Sequence, residues 1–447
     1  MQSGYSHASR LKGAAAAAIA SIPLPNLRWG HQRGWAVLMR HWRLLRFLLP
    51  GMAILAGCAD VPGWMLLQQR ATITDFQHFN NAPIKHALPV VELSAQTERA
   101  LHVPKLPARE ALEDLLERTN TVAFLVVQQG RIVYERYFQG FRPDSLVASF
   151  SLAKSVVSAL VGIAQHEGQI SSVEDPVTRY LPELLAQDPR YAQVRLRHLL
   201  EMRSGIAFKD DSRMPWGDPA RFYLTRDLAS YVRRLRIERP ADETYHYSNA
   251  DTQLLAMVLE RATGIPLARY VQDKLWQPMG AAADASWSLD SFEKGIPKAF
   301  CCLNATPRDY ARIGLVFLNR GFFNGRQIVP ADWVDQSIEV REHPGQDMVS
   351  RWNVDVPSGT FYTWQWRRQP AAGFKPMPPI HPGPNFFAQG LYGQYIFVAP
   401  EQDMVIVRLG RNSGGQDWPR LLGRLASLNP LPGKVSVASR STTSASF

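Results

Sequence analysis

The sequence predicts an α/β protein of the α+β type, with an antiparallel sheet formed by both chain ends, flanked by helices, and an inserted mainly helical region. Apolar strand patterns occur at 122–127 and 132–138 and return at 395–398 and 404–409. Between them, the apolar residues of 170–340 recur mainly at helical spacing. Because a sheet must cover its apolar faces, we expect a layered domain whose active site lies where the sheet and the helical region meet.

The individual elements follow from local periodicity and turn residues. The turn residues Gln129-Gly130-Arg131 separate the first two strand patterns and predict a hairpin, and a second hairpin is expected across 400–403. A strand at 361–366 precedes a proline-rich loop at 370–384. Helical spacing predicts helices at 109–118, 151–165, 254–259, 310–318 and 418–428.

The composition is that of a globular protein rather than a nucleic-acid-binding one. The 447 residues are 46% apolar and carry a net charge of +11. Residues 1–57 contain seven Lys or Arg residues and no acid, so removing these seven leaves +4 on the remainder. This charge is spread without a basic block, and no nucleic acid is expected as a partner.

The N-terminal region has the features of a targeting segment. Met39 opens a short basic stretch, apolar residues follow over 44–55, and the run ends in Leu55-Ala56-Gly57-Cys58. This ending resembles the lipobox of bacterial lipoproteins, which implies removal of 1–57, lipidation of Cys58 and a membrane anchor in the bacterial cell envelope. An ordinary signal peptide with a periplasmic product, or a membrane anchor, is the alternative. Residues 1–38 do not have the organisation of a signal peptide. We therefore expect translation to begin at Met39.

The rest of the chain divides by pattern into three parts. Residues 58–104 are expected to be irregular, 105–428 to form one hydrolase domain, and 429–447 to be a disordered tail rich in Ser and Thr. Cys301 and Cys302 are adjacent, and neighbouring cysteines rarely bridge each other without strain. We therefore expect them to be buried free thiols.

A serine and a lysine three residues apart are the first candidate catalytic pair. Ser151-Leu152-Ala153-Lys154 places a hydroxyl and an amine on one face of the predicted helix. A neutral lysine there can deprotonate the serine, which requires its pKa, about 10.4 in water, to be lowered. The same spacing recurs at Ser9 and Ser291, but only Ser151 follows a hairpin and opens a strongly apolar helix.

Two further elements complete the candidate site. Tyr247-Ser248-Asn249 is the only Tyr-x-Asn sequence; its tyrosine can relay a proton and its asparagine can hold a substrate amide or the lysine. The glycine-containing stretch 388–395 is expected to be a strand start that a substrate can lie against. The N–H groups of Leu391 and Ser151 together would form an oxyanion hole.

The order of these elements resembles the serine β-lactamase and penicillin-binding-protein superfamily. It is most similar to class C β-lactamases, related esterases and 6-aminohexanoate-dimer hydrolases. The resemblance covers 105–428, with supporting stretches at 175–183, 198–205 and 306–314. It implies a β-lactamase/transpeptidase-like fold and a serine hydrolase that acts on small esters or amides without cofactor or metal.

The resemblance also implies a role for each candidate residue. Ser151 would be the nucleophile of an acyl-enzyme mechanism, Lys154 its base and Tyr247 a general acid or base. The oxyanion donors would be the N–H groups of Ser151 and Leu391. The expected substrate-binding residues are Asn249, Gln389, Gly390 and Tyr392.

One departure from the superfamily pattern bears on the substrate. Where β-lactamases have Lys-Thr-Gly, this chain has Ala388-Gln389-Gly390, so the cation that receives a β-lactam carboxylate is missing. Arg408 or Arg411 on the following strand is a possible replacement. The departure favours esters or short linear amides over β-lactams. Aromatic residues are expected to line the acyl pocket, namely Trp364, Trp366 and Tyr392.

Two other functions remain as alternatives. The first is a DD-peptidase or β-lactamase-type enzyme on the same fold. The second is a catalytically inactive envelope protein that binds peptidoglycan or a partner. The sequence has no Gly-x-Ser-x-Gly elbow and no His-Glu-x-x-His pair, so hydrolases of those other classes are disfavoured.

Overall fold

The computed structural model describes residues 70–95, 101–104, 111–209, 217–341, 360–370 and 382–431. All of them belong to the unit Asp60–Phe447. The predicted targeting segment, the lipobox with Cys58, and the tail beyond 431 lie outside the described residues.

A seven-stranded antiparallel sheet built from both parts of the chain forms the centre of the protein. Its strand order is β3-β2-β13-β12-β11-β10-β9, so the N-terminal hairpin pairs directly with the C-terminal strands. This arrangement confirms the predicted fold class. The strands of the protein are β1 (Asn81–Ile84), β2 (Thr121–Gln128), β3 (Arg131–Tyr137), β4 (Val147–Ala148), β5 (Ala285–Ser288), β6 (Leu303–Ala305), β7 (Phe322–Phe323), β8 (Arg326–Gln327), β9 (Phe361–Tyr362), β10 (Arg367–Pro370), β11 (Pro382–Gly390), β12 (Gln394–Ala399) and β13 (Met404–Gly410).

Helices cover both faces of this sheet. On β2, Leu125 and Val127 face the larger core, which also contains apolar residues of α2 and α8, whereas Phe124 and Val126 face α1 and α10. Such alternation is the period-two pattern of a strand buried on both sides. The helices are α1 (Leu112–Arg118), α2 (Leu152–His166), α3 (Leu196–Leu200), α4 (Asp218–Leu224), α5 (Leu228–Arg234), α6 (Asn249–Thr263), α7 (Leu267–Val271), α8 (Pro307–Leu318), α9 (Ala331–Ile338) and α10 (Trp418–Ser427).

A second, four-stranded sheet adds short strands that the sequence did not predict. Its order is β1-β5-β6-β4, so a strand lies in the segment expected to be irregular and two lie in the region expected to be mainly helical. These strands have two to four residues each, too few for a periodic signal. Tyr310 of α8 donates to the carbonyls of Val147 and Leu303, at 2.8 and 2.9 Å, and fastens this sheet to the larger core.

The segment predicted as one strand at 361–366 is instead two short strands separated by a turn. β9 ends at Tyr362 and β10 begins at Arg367, and Gln365 between them has a φ of 65°. The buried amide of Gln365 bonds to the Leu199 carbonyl at 3.0 Å and to Thr252 Oγ1 at 2.8 Å. The turn forms because it satisfies these distant polar groups, which local strand propensity does not reveal.

Cys301 and Cys302 differ from expectation in one respect. Both side chains are buried, as predicted, but they are joined to each other by a disulfide, so the prediction of free thiols was wrong. The backbone turns sharply at this point, with a φ of 73° at Cys302, and this brings the two sulfur atoms together. No helix within the described ranges is long and apolar enough to cross a membrane.

Candidate active site

Ser151 lies at the first turn of α2, directly after a sharp change in chain direction. Ser149 is fixed to the second sheet by its N–H bond to the Leu303 carbonyl at 2.8 Å. Phe150 then takes a φ of 45°, and α2 begins at Leu152 with Ser151 as its N-cap. The side chain of Ser151 therefore projects from a helix N-terminus, where the unpaired backbone N–H groups favour negative charge.

Lys154 is buried, with 1% of its surface exposed, and its ammonium donates to three oxygen atoms from three parts of the chain. The distances from Nζ are 3.0 Å to Ser151 Oγ, 2.8 Å to Asn249 Oδ1 and 2.6 Å to the Phe300 carbonyl. The first of these bonds lies within the range required for proton transfer. Asn249 thus contacts the lysine, which was one of its two predicted roles.

Tyr247 stands beside the same ammonium. Its ring centroid is 5.0 Å from Lys154 Nζ. The rings of Tyr247 and Tyr362 meet edge to face, with their centroids 6.0 Å apart. Tyr247 lies just before α6 and Asn249 is the first residue of α6, so the start of this helix brings both side chains to the lysine. The structure therefore brings together Ser151, Lys154, Tyr247 and Asn249.

A buried carboxyl group supports the start of α6. Asp251 is fully buried, and its Oδ1 accepts a 2.7 Å hydrogen bond from Ser204 Oγ. Burial raises the pKa of Asp251 to about 8, although hydrogen bonds from serine side chains act in the opposite direction. The Ser204-Gly205 loop is consequently tied to the helix that carries Asn249.

The end of β11 approaches the nucleophile closely. A Cβ on Gly390 would lie 2.5 Å from the Ser149 carbonyl oxygen and 3.2 Å from the backbone nitrogen of Ser151. A side chain at position 390 would therefore force the strand away from Ser151. Leu391 follows this point of closest approach, which is the location expected of a second oxyanion donor.

Arg408 holds the turn that follows Leu391. Its guanidinium is fully buried, stacks 4.5 Å from the Trp418 ring, and burial lowers its pKa to about 9. Nη1 donates to the carbonyls of Tyr392 and Gly393 at 2.6 and 2.8 Å. Because these bonds occupy Arg408, it cannot replace the missing lysine.

The remaining candidates take several different positions. Arg411 bonds to Gln139 near the surface, 2.9 Å from its Oε1, so it too is not the replacement cation. The Tyr392 hydroxyl donates to the Ala71 carbonyl at 2.8 Å, and its ring meets Phe150 edge-on. Gln389 is partly buried on β11, next to Gly390.

The two tryptophans expected in the acyl pocket are in the core instead. Trp366 is completely buried between Phe317 and Phe386. Trp364 is 3% exposed, packs on Trp333, and donates from Nε1 to Glu201. The turn at Gln365 directs both rings inward, so the predicted contribution of these tryptophans to the pocket was wrong.

Two contributors to the site, the Phe300 carbonyl and the Asp251 carboxyl, were missed by the sequence analysis, and Arg408 was named there for a different role. The Phe300 carbonyl, the Asp251 carboxyl and the Arg408 guanidinium act through burial and backbone geometry, not through a motif. For Asp251 alone there was a local signal, an acid in the first turn of a helix. The Phe300 carbonyl is a main-chain atom that every residue has, and the role of Arg408 depends on backbone carbonyls that a turn brings to it.

Comparison with known families identifies the class of protein. The sequence model of the Beta-lactamase family matches residues 108–428, which is most of the chain. The chain therefore belongs to the Beta-lactamase family and is a hydrolase of the β-lactamase fold.

Several named proteins are similar to this chain. The chain is 29% identical over 351 residues to the 6-aminohexanoate-dimer hydrolase of Paenarthrobacter ureafaciens, covering 75% of this chain and 80% of that protein. It is 31% identical over 182 residues to Esterase EstB of Burkholderia gladioli, covering 35% and 44% of the two chains. A solved structure from Bacillus anthracis, provisionally named a 6-aminohexanoate-dimer hydrolase, shares the fold with a TM-score of 0.66, 24% identity and coverage of 79% and 93%.

The close approach of β11 gives a testable prediction. We expect Gly390→Ala to lower kcat at least tenfold, because the new Cβ pushes Leu391 away and loss of one oxyanion donor costs roughly a hundred- to a thousandfold. Gly423→Ala in α10 is the matched control, since its Cβ would meet only the end of the Gln369 side chain. Ester hydrolysis by the two folded variants, checked by thermal unfolding, measures the difference. Equal kcat values would contradict the assignment of this strand end.

Proposed function

We propose that the protein hydrolyses small esters or linear amides through an acyl-enzyme on Ser151. The observation that carries this proposal is the 3.0 Å contact between Nζ of the buried Lys154 and Ser151 Oγ. In its neutral form, Lys154 can still donate to Asn249 Oδ1 and the Phe300 carbonyl, and its lone pair is free to accept the proton of Ser151 Oγ.

The first half of the reaction forms the acyl-enzyme. Ser151 Oγ attacks the carbonyl carbon of the substrate while its proton moves to neutral Lys154. The N–H groups of Ser151 and Leu391 stabilise the resulting oxyanion. The proton then passes through the Tyr247 hydroxyl to the departing alcohol or amine, the bond to this group breaks, and the acyl group stays on Ser151.

The second half reverses these roles with water. A water molecule gives a proton to the Lys154 and Tyr247 pair and attacks the acyl carbon. The ester bond to Ser151 breaks, the acid is released, and Oγ recovers its proton. Asn249 keeps the Lys154 amine in position throughout, through the bond between Oδ1 and Nζ at 2.8 Å.

The substrate class follows from position 388. Ala388 is 1% exposed and pairs with Ile396 across the sheet, so this position offers no cation to a carboxylate near the reacting carbonyl. The relatives named 6-aminohexanoate-dimer hydrolase and Esterase EstB support the same preference. The proposal is therefore an esterase or amidase rather than a β-lactamase.

The mechanism predicts the behaviour of three variants. Ser151→Ala and Lys154→Ala are expected to abolish turnover of an aryl ester, and Tyr247→Phe to reduce it by roughly a hundredfold, as for loss of a general acid or base. A fluorophosphonate probe should label the wild type and not Ser151→Ala, which also separates an enzyme from an inactive binding protein. Undiminished turnover by folded Ser151→Ala, in a preparation free of contaminating hydrolases, would contradict the mechanism.

The missing cation at position 388 predicts a substrate preference. A charge-assisted hydrogen bond is worth about 1.5 to 3 kcal/mol, so its absence should lower efficiency on carboxylate-bearing β-lactams by roughly ten- to over a hundredfold. Acylation by a short-chain aryl ester should therefore be faster than acylation by a cephalosporin. Acylation that is faster with the cephalosporin by about tenfold or more would refute the argument from Ala388.

The location of the protein is a separate proposal, supported by the sequence Leu55-Ala56-Gly57-Cys58. We expect the mature protein to begin at a lipidated Cys58 and to be anchored to a membrane of the cell envelope. Mass spectrometry of the mature N-terminus measures this, and Cys58→Ser should abolish the lipid. An unmodified Cys58 within an intact chain would rule the anchor out.

A further inference from the structure

The only disulfide among the residues that the structure describes lies next to an acceptor of the catalytic lysine. Cys301 and Cys302 are bonded to each other, and each is 4% exposed. Phe300 directly precedes them, and its carbonyl accepts from Lys154 Nζ at 2.6 Å. The position of this carbonyl therefore depends on the backbone of the disulfide.

The same segment also holds the chain just before the nucleophile. Leu303 follows the disulfide, and its carbonyl accepts from the Ser149 N–H at 2.8 Å and from the Tyr310 hydroxyl at 2.9 Å. Ser149 is two residues before Ser151, the N-cap of α2. The residues on the two sides of the disulfide thus support both members of the serine and lysine pair.

Between these two supports the chain is fastened to β5. The Cys301 carbonyl accepts from Trp287 Nε1 at 2.9 Å, and the Cys302 carbonyl accepts from the Ser288 N–H at 2.9 Å. Of the four consecutive carbonyls of residues 300–303, the outer two therefore bind the active-site segments and the inner two bind β5. This division requires an unusual local backbone, and Cys302 has a φ of 73°.

The disulfide holds this backbone in a conformation that an open chain disfavours. A residue with a β-carbon rarely takes a positive φ, and it does so only where the surrounding structure fixes it. The bond between the two side chains leaves the peptide between Cys301 and Cys302 few other conformations. If that bond is broken, we expect Cys302 to leave the left-handed region and the Phe300 carbonyl to shift relative to Lys154.

We propose that the Cys301–Cys302 disulfide is a positioning element of the active site, and that its reduction lowers the rate of acylation. This rests on the proposed function, because the disulfide acts through the Ser151 and Lys154 pair. A dithiol supplies the two electrons and two protons. One of its sulfurs attacks the disulfide, the other displaces the mixed disulfide, and the reagent leaves as a cyclic disulfide while Cys301 and Cys302 become thiols. Oxidised glutathione reverses the change and leaves as two molecules of reduced glutathione.

The first test measures aryl-ester hydrolysis before and after reduction of the whole protein. Dithiothreitol is removed without oxygen before the assay, because thiols themselves attack aryl esters, and alkylation followed by mass spectrometry confirms that both thiols are free. Reduction should lower kcat roughly ten- to a hundredfold and change KM by less than about twofold, since misplacing a catalytic group by about 1 Å affects the reaction more than substrate binding. Oxidised glutathione should restore kcat. An unchanged kcat in the reduced, folded enzyme overturns the proposal.

Cys58→Ser is the matched control for this experiment. It removes the third cysteine of the chain and leaves the disulfide intact. The variant should lose kcat on reduction and recover it on oxidation as the wild type does. Loss of the response in Cys58→Ser would assign the effect to Cys58 and would overturn the proposal.

Two substitutions at position 302 test whether the disulfide acts through the backbone turn. Cys302→Ala and Cys302→Gly both remove the disulfide, but only glycine takes a positive φ without a steric cost. Cys302→Ala should have a kcat roughly ten- to a hundredfold below the wild type, Cys302→Gly should recover part of this loss, and neither should respond to the dithiol. Wild-type kcat in Cys302→Ala, or no recovery in Cys302→Gly, would contradict the proposal. Thermal unfolding checks that both variants are folded, and if Cys302→Ala is not, the reduction experiment decides.

Hydrogen exchange gives a measurement that does not depend on turnover. Reduction should speed the exchange of the peptide that contains Ser149, whose N–H bonds to Leu303, and should leave a peptide from α10 unchanged. If the wild type hydrolyses no ester and does not react with a fluorophosphonate, but this exchange speeds up, the acyl-enzyme proposal fails and the link between the disulfide and the site stands. If esters are hydrolysed and reduction changes neither kcat nor exchange, the role of the disulfide fails alone.

Discussion

The burial of the Lys154 ammonium is the constraint on which the rest of the site depends. An amine that is 1% exposed needs acceptors for its protons, and no single element supplies them. Ser151 Oγ comes from the same helix, Asn249 Oδ1 from the start of α6, and the Phe300 carbonyl from the loop before β6. The nucleophile is therefore assembled only when the sheet and the helical region are docked.

Hydrogen bonds of the buried Gln365, from its side chain and its backbone, hold these two regions together. Its carbonyl accepts from Ser155 in α2 at 2.6 Å, its Oε1 accepts from Thr252 in α6 at 2.8 Å, and its Nε2 donates to the carbonyl of Leu199 in α3 at 3.0 Å. The helix that carries Lys154 and the helix that begins at Asn249 thus share one polar anchor. Buried networks of this kind specify one arrangement because every alternative leaves polar groups unsatisfied.

The buried arginines Arg408 and Arg367 differ in their hydrogen bonding. Arg408 donates to carbonyls on both sides of it, including those of Tyr392 and Gly393, and stabilises the turn next to the nucleophile. Arg367 has aromatic neighbours but no acceptor in the described ranges.

The sequence by itself determined the two hairpins of the main sheet, several of its helices, and that Ser151, Tyr247 and Asn249 belong to one site with Lys154. Apolar alternation in 122–127 and helical spacing after Ser151 are local signals, and the structure has β2 and α2 at these positions. Only the tertiary structure decided which oxygen atoms accept from Lys154, that Trp366 packs in the core, that Cys301 and Cys302 are bonded, and that Arg408 holds the turn at Tyr392 and Gly393. These features depend on contacts between distant segments or on backbone turns such as that at Gln365, and no spacing along the chain encodes them.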